Sequence, residues 1–343
     1  VKHPRNFLLG AQAAASMLPV CDHYSGVEAR MRKSLTLQAE LMQEFGACVF
    51  DVTLDCEDGA KVGGELDHAT MVVALAREAM AGALASGAGG VPRVAVRVHP
   101  VRHPAFEMDV QTILSGAGVD LCHVMVPKIE SLEDVDAAVA AIDRSCPSRG
   151  GAGPIPLHVL LESPAAVHRA YAIASHPRVQ SASFGLMDFV SSHGGAIPSD
   201  AMSVVGQFEH PMVVRAKLEV SAACHAHGKV PSHCVVTEFR DLDALRRSAN
   251  TAARKFGYTR MWSIHPGQIR TILDAFAPAR SEIDVAAQIM GAAARADWAP
   301  IEFSGQLHDR ASYRFFWQIL ERAHQTGRVL PEEVRPYFDS PDH

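Results

Sequence analysis

Eight short apolar segments, each followed by a longer stretch of helical period, constrain this chain more than any other feature. The strand-like segments are residues 17–21, 48–54, 93–98, 121–126, 157–161, 181–184, 233–236 and 261–264. The helical patterns between and after them cover 27–45, 69–86, 107–115, 132–142, 165–175, 212–227, 241–256 and 266–276. A strict strand-then-helix order imposes a parallel sheet, because parallel neighbours need crossover connections. Eight such units close naturally into a (β/α)8 TIM barrel, which places a catalytic barrel at residues 1–276. A doubly wound open sheet is the alternative. It fits less well, since eight units exceed what most open sheets use and no Gly-rich dinucleotide fingerprint follows the first strand. Beyond Phe276, residues 282–296 and 312–326 read as two more helices, so 277–343 form a C-terminal helical extension.

Punctuation agrees with these boundaries. Gly-rich connectors are expected at 86–90 and 148–156, and Gly228 closes the long helix before the seventh strand. None carries the Lys and Ser/Thr of a P-loop, so they read as connectors and not as phosphate cradles. A chain of 343 residues with 48% hydrophobic and 20% charged content has an ordinary soluble composition. Its formal net charge of −6 argues against a phosphate-backbone binder, and no nucleic-acid partner is expected. The seven cysteines are scattered and form no C-x-x-C pair, which excludes a disulfide framework or structural zinc and points to a reducing compartment. Lys2, Arg5 and the run from Phe7 to Val20 loosely imitate a signal peptide, but Gln12 and Ser16 interrupt it. With no apolar stretch of transmembrane length, the cytoplasm is the expected location and no membrane partner is expected.

A barrel of this kind carries its active site where the βα loops converge, at the C-terminal ends of the strands. The polar residues expected there are Asp22, His23, Asp55, Glu57, Asp58, Arg97, His99, Lys128, Glu130, Glu162, Asp188, Thr237, Glu238 and His265. A ring dominated by acids, with Arg and Lys between them, suits a hard divalent cation bound through oxygen together with an anionic substrate. Glu162 in Leu160-Leu161-Glu162-Ser163-Pro164 and Asp188 in Phe184-Gly185-Leu186-Met187-Asp188 each deliver one carboxylate just past a buried strand, a costly placement unless a cation meets it. Their other reading is as caps, Glu162 of the helix starting near Ala165 and Asp188 of a loop. Arg97 either bridges a substrate carboxylate or pairs with Glu57 or Asp58 at the barrel mouth. Glu57 and Asp58, being adjacent, are expected to point in different directions and to act beside the metal, one orienting Arg97 or a metal-bound water. Lys128 either neutralises substrate charge or pairs with Glu57 or Glu130. Among 18 histidines, His225 and His227 cannot share a helix face, His265 is expected to brace the loop it enters, and zinc is not indicated. Ser163 lacks partners at any nucleophile-elbow spacing.

Six of these pieces occur in order: Phe50-Asp51-Val52-Thr53-Leu54-Asp55-Cys56-Glu57-Asp58-Gly59, Val96-Arg97-Val98-His99-Pro100, Val126-Pro127-Lys128-Ile129-Glu130, Leu161-Glu162-Ser163, Gly185-Leu186-Met187-Asp188 and Ser263-Ile264-His265-Pro266-Gly267-Gln268-Ile269. The pattern resembles the citrate lyase beta-subunit and malyl-CoA lyase family, part of the metal-dependent hydroxyacid aldolase superfamily. Ser304-Gly305-Gln306-Leu307-His308-Asp309 looks like the family's lid segment, whose Asp reaches a neighbouring subunit's site. The resemblance implies a Mg²⁺-dependent carbon–carbon lyase, with Mn²⁺ as a possible substitute, acting on a hydroxy or keto acid or an acyl-CoA and assembled as a homo-oligomer, a trimer or hexamer. It makes Glu162 and Asp188 the metal ligands, Arg97 and Lys128 substrate-binding residues, and Arg97, Glu57, Asp58 and Asp309 the catalytic candidates. Departures from the family pattern lie at Cys56 and Gly59, at Pro19-Val20-Cys21-Asp22-His23-Tyr24 and at Pro231-Ser232-His233-Cys234. Three other functions stay open: an accessory metal-binding subunit of a lyase complex, an aldolase for free 4-hydroxy-2-keto acids, and a barrel of phosphoenolpyruvate chemistry, for which no phosphate loop is evident.

Overall fold

The eight strand-then-helix units close on themselves. A computed structural model describes residues 3–9, 18–86, 91–146, 149 and 153–339. Its strands are β1 (Cys21–Ser25), β2 (Phe50–Asp55), β3 (Val94–Arg97), β4 (Leu121–Val126), β5 (Leu157–Leu161), β6 (Val179–Phe184), β7 (Val230–His233) and β8 (Arg260–Ser263). Each pairs in parallel with its neighbours, and β1 pairs with both β2 and β8, which completes the barrel. Two strands differ from the expected positions. β1 begins at Cys21 and not at Met17, which lies outside the described residues, and β7 ends at His233, where it was expected to begin. Both are polar strands, Cys-Asp-His-Tyr-Ser and Val-Pro-Ser-His, so the nearest apolar run was mistaken for them. Of the connectors expected at 86–90 and 148–156, residues 87–90, 148 and 150–152 lie outside the described residues.

Local signals set most helix ends. The helix Glu28–Phe45 stops at Gly46, whose φ of 67° suits a residue without a Cβ. Ser131 caps Leu132–Ser145 by accepting from the Asp134 amide, and Asp241 caps Leu242–Lys255 by accepting from Ala244. The expected helix at 165–175 is two short pieces, Pro164–His168 and Ala170–Ser175, with Ser163 as the first cap and Pro164 opening the first turn. The unexpected helix Leu186–Ser191 follows β6 directly and carries Asp188 in its first turn.

The lower barrel interior is polar, where aliphatic side chains are usual. Thr53 Oγ1 donates to Asp22 Oδ1 at 2.7 Å, and Arg260 Nη2 lies 2.6 Å from Asp51 Oδ2 and 3.0 Å from Asp22 Oδ2. Arg93 Nε donates to Asp51 Oδ1 at 2.6 Å, and both ring nitrogens of His158 meet serine hydroxyls, Ser181 at 2.6 Å and Ser183 at 2.8 Å. Burial pushes the Asp51 carboxyl up, but Arg93, Arg260 and His123 outweigh it and hold the group below the ordinary carboxylate range. Burial drives His123 down to about 3 and His158 well below the usual imidazole value, so both stay neutral.

Pro19–Ala275 form one compact unit containing this barrel. A second unit joins the described N-terminal residues to those from Phe276 onward, so the start of the chain leaves the barrel domain in which 1–276 had placed it. Leu8 and Leu9 of the helix Pro4–Leu9 pack among Ile283, Met290, Tyr313 and Trp317, and Arg5 Nη1 donates to Glu321 at 2.6 Å. This unit also holds the helices Arg280–Arg295 and Arg310–Gln325 and an antiparallel strand pair, Ile301–Phe303 with Gln306–His308. Among the described residues no helix is long and apolar enough to cross a membrane.

Candidate active site

Glu162 follows the last residue of β5 and is only 6% exposed. Its Oε1 accepts the Lys128 backbone amide at 2.8 Å. That amide is presented by a left-handed backbone, φ 52° at Lys128, a conformation that costs a non-glycine residue energy and clusters at functional sites. On the other side Gly185 leaves room for the carboxylate, because a Cβ there would stand 2.5 Å from Glu162 Oε2. Burial first, then Asp188 and Glu57, raise the Glu162 carboxyl to about 8. Asp188 itself is exposed. Both acids line a cleft of about 370 Å³, together with Lys128, Glu130, Ser163 and Arg102.

Arg97, at the end of β3, is locked by three acids of the β2 loop. Nε and Nη2 donate to Asp55 at 2.6 and 2.7 Å, Nη2 donates to Asp58 at 2.7 Å, and Nη1 lies 2.8 Å from Glu57 Oε2. Burial works against its charge, but Asp55, Glu57 and Asp58 hold it firmly protonated. Glu57 also receives Lys128 Nζ at 2.6 Å, bridging Arg97 to the Glu162 side of the rim. Glu57 and Asp58 therefore converge on one guanidinium instead of diverging. Burial raises the Glu57 carboxyl in spite of Arg97 and Lys128, and Lys128 is raised by Glu57 in spite of its partial burial. A close approach of two loops supports this arrangement: a Cβ at Gly59 would collide with the backbone of Gly26 and Asp55, which accounts for glycine at that departure.

Among the described residues the rim thus brings the carboxylates Asp55, Glu57 and Asp58 onto Arg97 and Glu57 onto Lys128, while Glu162 and Asp188 line the cleft beside them. The compensation is uneven, since the β2 acids meet cations directly while Glu162 accepts a neutral amide and faces a like charge. A buried carboxylate so held is what a hard dication would stabilise, and the donor set fits Mg²⁺. Two other groups of ligand-type side chains, Asp22 with His123 and His158, and Asp51 with Cys122 and His123, lie lower in the barrel. Arg260 and Arg93 already meet their charge.

Other expected rim residues sit elsewhere. Asp22 and His23 fall inside β1, three and two residues before its end at Ser25. His99 gives Nδ1 to Asp109 at 2.6 Å and stacks on His103. His265 accepts from the Gly267 amide at 3.1 Å and so braces its own loop, and exposed His225 bonds the Gly257 carbonyl. Asp309 caps the helix Arg310–Gln325, accepting from Ala311 at 2.9 Å, at the end of the strand pair that contains the expected lid segment. Sequence reasoning passed over Tyr24, which lies under the Arg97 guanidinium at 5.0 Å, and gave Asp55 no role. Strand parity offered a signal for both, since Tyr24 and Asp55 stand two and four residues beyond buried Asp22 and Asp51.

A family model described as HpcH/HpaI aldolase/citrate lyase matches residues 35–266. The chain is 29% identical over 250 residues to L-malyl-CoA/beta-methylmalyl-CoA lyase of Cereibacter sphaeroides, covering 67% of this chain and 76% of that protein. It is 27% identical over 248 residues to mitochondrial citramalyl-CoA lyase of Mus musculus, covering 70% and 68%. Among solved structures, a citrate lyase from Burkholderia xenovorans matches with a TM-score of 0.78 and 48% identity over 94% of this chain and 97% of that one. The citrate lyase beta subunit of Mycobacterium tuberculosis, complexed with oxaloacetate and magnesium, shares the fold at 19% identity and a TM-score of 0.57, over 76% and 98%.

Proposed function

The chain belongs to the HpcH/HpaI aldolase/citrate lyase family, and from that premise we propose that it is a Mg²⁺-dependent carbon–carbon lyase that reversibly splits a hydroxy acid or its CoA thioester. The observation that carries this reading is Glu162, a buried carboxylate raised to about 8 by burial, Asp188 and Glu57, which lines one cleft together with Asp188. The names of the relatives, malyl-CoA and citramalyl-CoA lyases, support the same reaction class. Glu162 and Asp188 would hold the ion, and Mn²⁺ would serve in its place. When bound, the ion supplies a Lewis acid for an oxygen of the substrate and for the enolate that C–C cleavage leaves. The chain's own residues do the rest. The Lys128 amide fixes Glu162, Glu57 ties Lys128 to Arg97, and the three β2 acids fix Arg97 in position beside the mouth. Arg97 and Lys128 orient a substrate carboxylate, and Glu57, Asp58 and Asp309 are the acid/base candidates. The reading extends to a cytoplasmic homo-oligomer, a trimer or hexamer.

Turnover of malyl-type and citramalyl-type thioesters and of free 4-hydroxy-2-keto acids, each with Mg²⁺ and with chelator, tests the proposal. Cleavage of at least one that stops on chelation is expected. Intact Mg²⁺ binding without cleavage of either panel would favour an accessory subunit of a lyase complex instead.

A further inference from the structure

The departure from the family pattern at Pro231-Ser232-His233-Cys234 meets a lysine that the cleft does not use. Lys217 of the helix Pro211–Ala226 is fully buried. Its Nζ donates to Gln207 Oε1 at 2.6 Å and to His233 Nε2 at 2.9 Å, and it stands 4.1 Å from the centre of the Phe208 ring. His233 gives its Nδ1 hydrogen to the Cys234 carbonyl at 3.0 Å, which leaves Nε2 as an acceptor. Burial, and then Lys217, keep that imidazole neutral. Phe208 stacks on the His233 ring, with 5.4 Å between centres and 6° between planes. Burial lowers the Lys217 ammonium to about 8, and the group opposing that fall is the Cys234 thiol and not a carboxylate.

A buried ammonium that meets neutral acceptors instead of an acid is costly, and a methionine would fill similar space without that cost. The position therefore uses the donors of Lys217. They grip two pieces of chain, the end of β7 at His233 and the turn Gly206–Phe208. That turn belongs to the segment leaving Asp188. The segment runs from the helix Leu186–Ser191 through the turn Ser199–Met202 to Gly206–Phe208, and Ser199–Met202 packs against both of the others. The approach of the two turns is close, since a Cβ at Gly206 would collide with the Asp200 carbonyl. The helix carrying Asp188 has six residues and no side-chain cap. So short a helix takes its position from what it packs against.

We propose that Lys217 is a positioning residue for the metal site: it anchors the Gly206–Phe208 turn to β7, and through the Ser199–Met202 turn this holds Asp188 on the cleft it shares with Glu162. The proposal rests on the reading of Asp188 as a metal ligand, and it gives His233 and Cys234 a task at the place where the chain departs from the family pattern.

Mg²⁺ affinity by calorimetry and unfolding free energy without metal would be measured on the full chain for wild type, Lys217→Met, Gln207→Met and Asp188→Asn. In Lys217→Met the affinity is expected to fall about tenfold, the scale of losing a group that orients a metal ligand. Metal-free stability in the same variant should hold or rise, because an ammonium no longer has to be buried. Amide exchange should quicken across residues 186–210 and not across the barrel strands. A lysine that only filled space would leave the affinity where it was. Should Lys217→Met not fold, Gln207→Met, which keeps the lysine and removes one acceptor, carries the same expectation for Mg²⁺. Wild-type affinity in the folded variant, with Asp188→Asn impaired, would overturn the anchor and leave the metal site standing. Wild-type affinity in Asp188→Asn would remove the metal reading and the anchor with it.

Discussion

Asp51, inside β2, and Glu162, just past β5, are both carboxylates nearly without solvent, 0% and 6% exposed, yet Asp51 is held below the ordinary range while Glu162 rises to about 8. Burial pushes both upward. The difference lies in what the chain supplies. Asp51 has Arg93 and Arg260 within 2.6 Å, whereas Glu162 has one backbone amide, Asp188 as an electrostatic neighbour and only a half-exposed lysine already paired with Glu57. An acid whose cation is built in is part of the fold, and an acid whose cation must arrive from solution marks a binding site.

Breaking the lower network should give the largest effect on stability. Arg260→Met leaves Asp22 without its arginine and Asp51 with Arg93 alone, and removal of one partner from a buried ion pair costs about 3–5 kcal/mol. The unfolding free energy should fall by that amount, read as a lower denaturation midpoint at an unchanged slope, with Mg²⁺ stoichiometry at the rim unaltered. A loss under about 1 kcal/mol would mean that the lower acids are no better compensated than a surface pair, and the contrast with the rim would fail.

Glu162→Gln should do the reverse. It removes a charge the apo fold tolerates poorly, so stability without metal should hold or rise, while Mg²⁺ affinity should fall by at least the ~100-fold that loss of an outer-shell partner can produce. The pH dependence follows from the same shift. The folded-state value lies above the unfolded value of 4.5, so the native state holds the proton more tightly. This group's contribution is present below the unfolded value and is lost as pH rises toward about 8. Mg²⁺ must displace that proton, so its affinity should drop by up to about tenfold per pH unit below the raised value. The rise in Tm on adding Mg²⁺ should therefore be larger at the alkaline end of this window. A pH-independent Mg²⁺ affinity, or an unchanged one in Glu162→Gln, would show that the ion does not use this carboxylate.

The same contrast explains what was legible in the sequence. β4 and β5 stand where their apolar runs predict, because their residues on the face away from the polar interior include Val124, Val126, Leu157, Val159 and Leu161. β1 was misplaced because Asp22 is compensated by Arg260 of β8, at the far end of the barrel sequence, and a local window sees only a polar residue. β7, with Pro231 and Ser232, failed for the same kind of reason. At the site, Glu162 and Asp188 could be read as acids delivered by strands, and Arg97 as their neighbour. The Lys128 amide could not be read, since a backbone donor has no residue identity and its aim depends on a left-handed φ. The convergence of Asp55, Glu57 and Asp58 on one arginine was equally hidden, because adjacency along a strand suggests opposite faces and the chain turns just after Asp55.

The smallest stability effect is expected at Asp309, where one carboxylate is a candidate for two tasks. Its Oδ1 accepts from the amides of Ala311 at 2.9 Å and Ser312 at 3.4 Å, while Ser312 Oγ accepts the Asp309 amide at 3.0 Å. This is a complete N-cap for the helix Arg310–Gln325, and Asp309→Ala should cost about 1 kcal/mol. Asp309→Asn separates the cap from the acid, since asparagine caps about as well as aspartate but cannot exchange a proton in its place. Stability in Asp309→Asn should stay close to wild type. Turnover then decides the second task. A loss of about 100-fold or more in Asp309→Asn, the scale of acid/base catalysis, with the helix intact would assign Asp309 to the chemistry. Wild-type turnover would confine it to the cap and leave Glu57 and Asp58 as the remaining acid/base candidates.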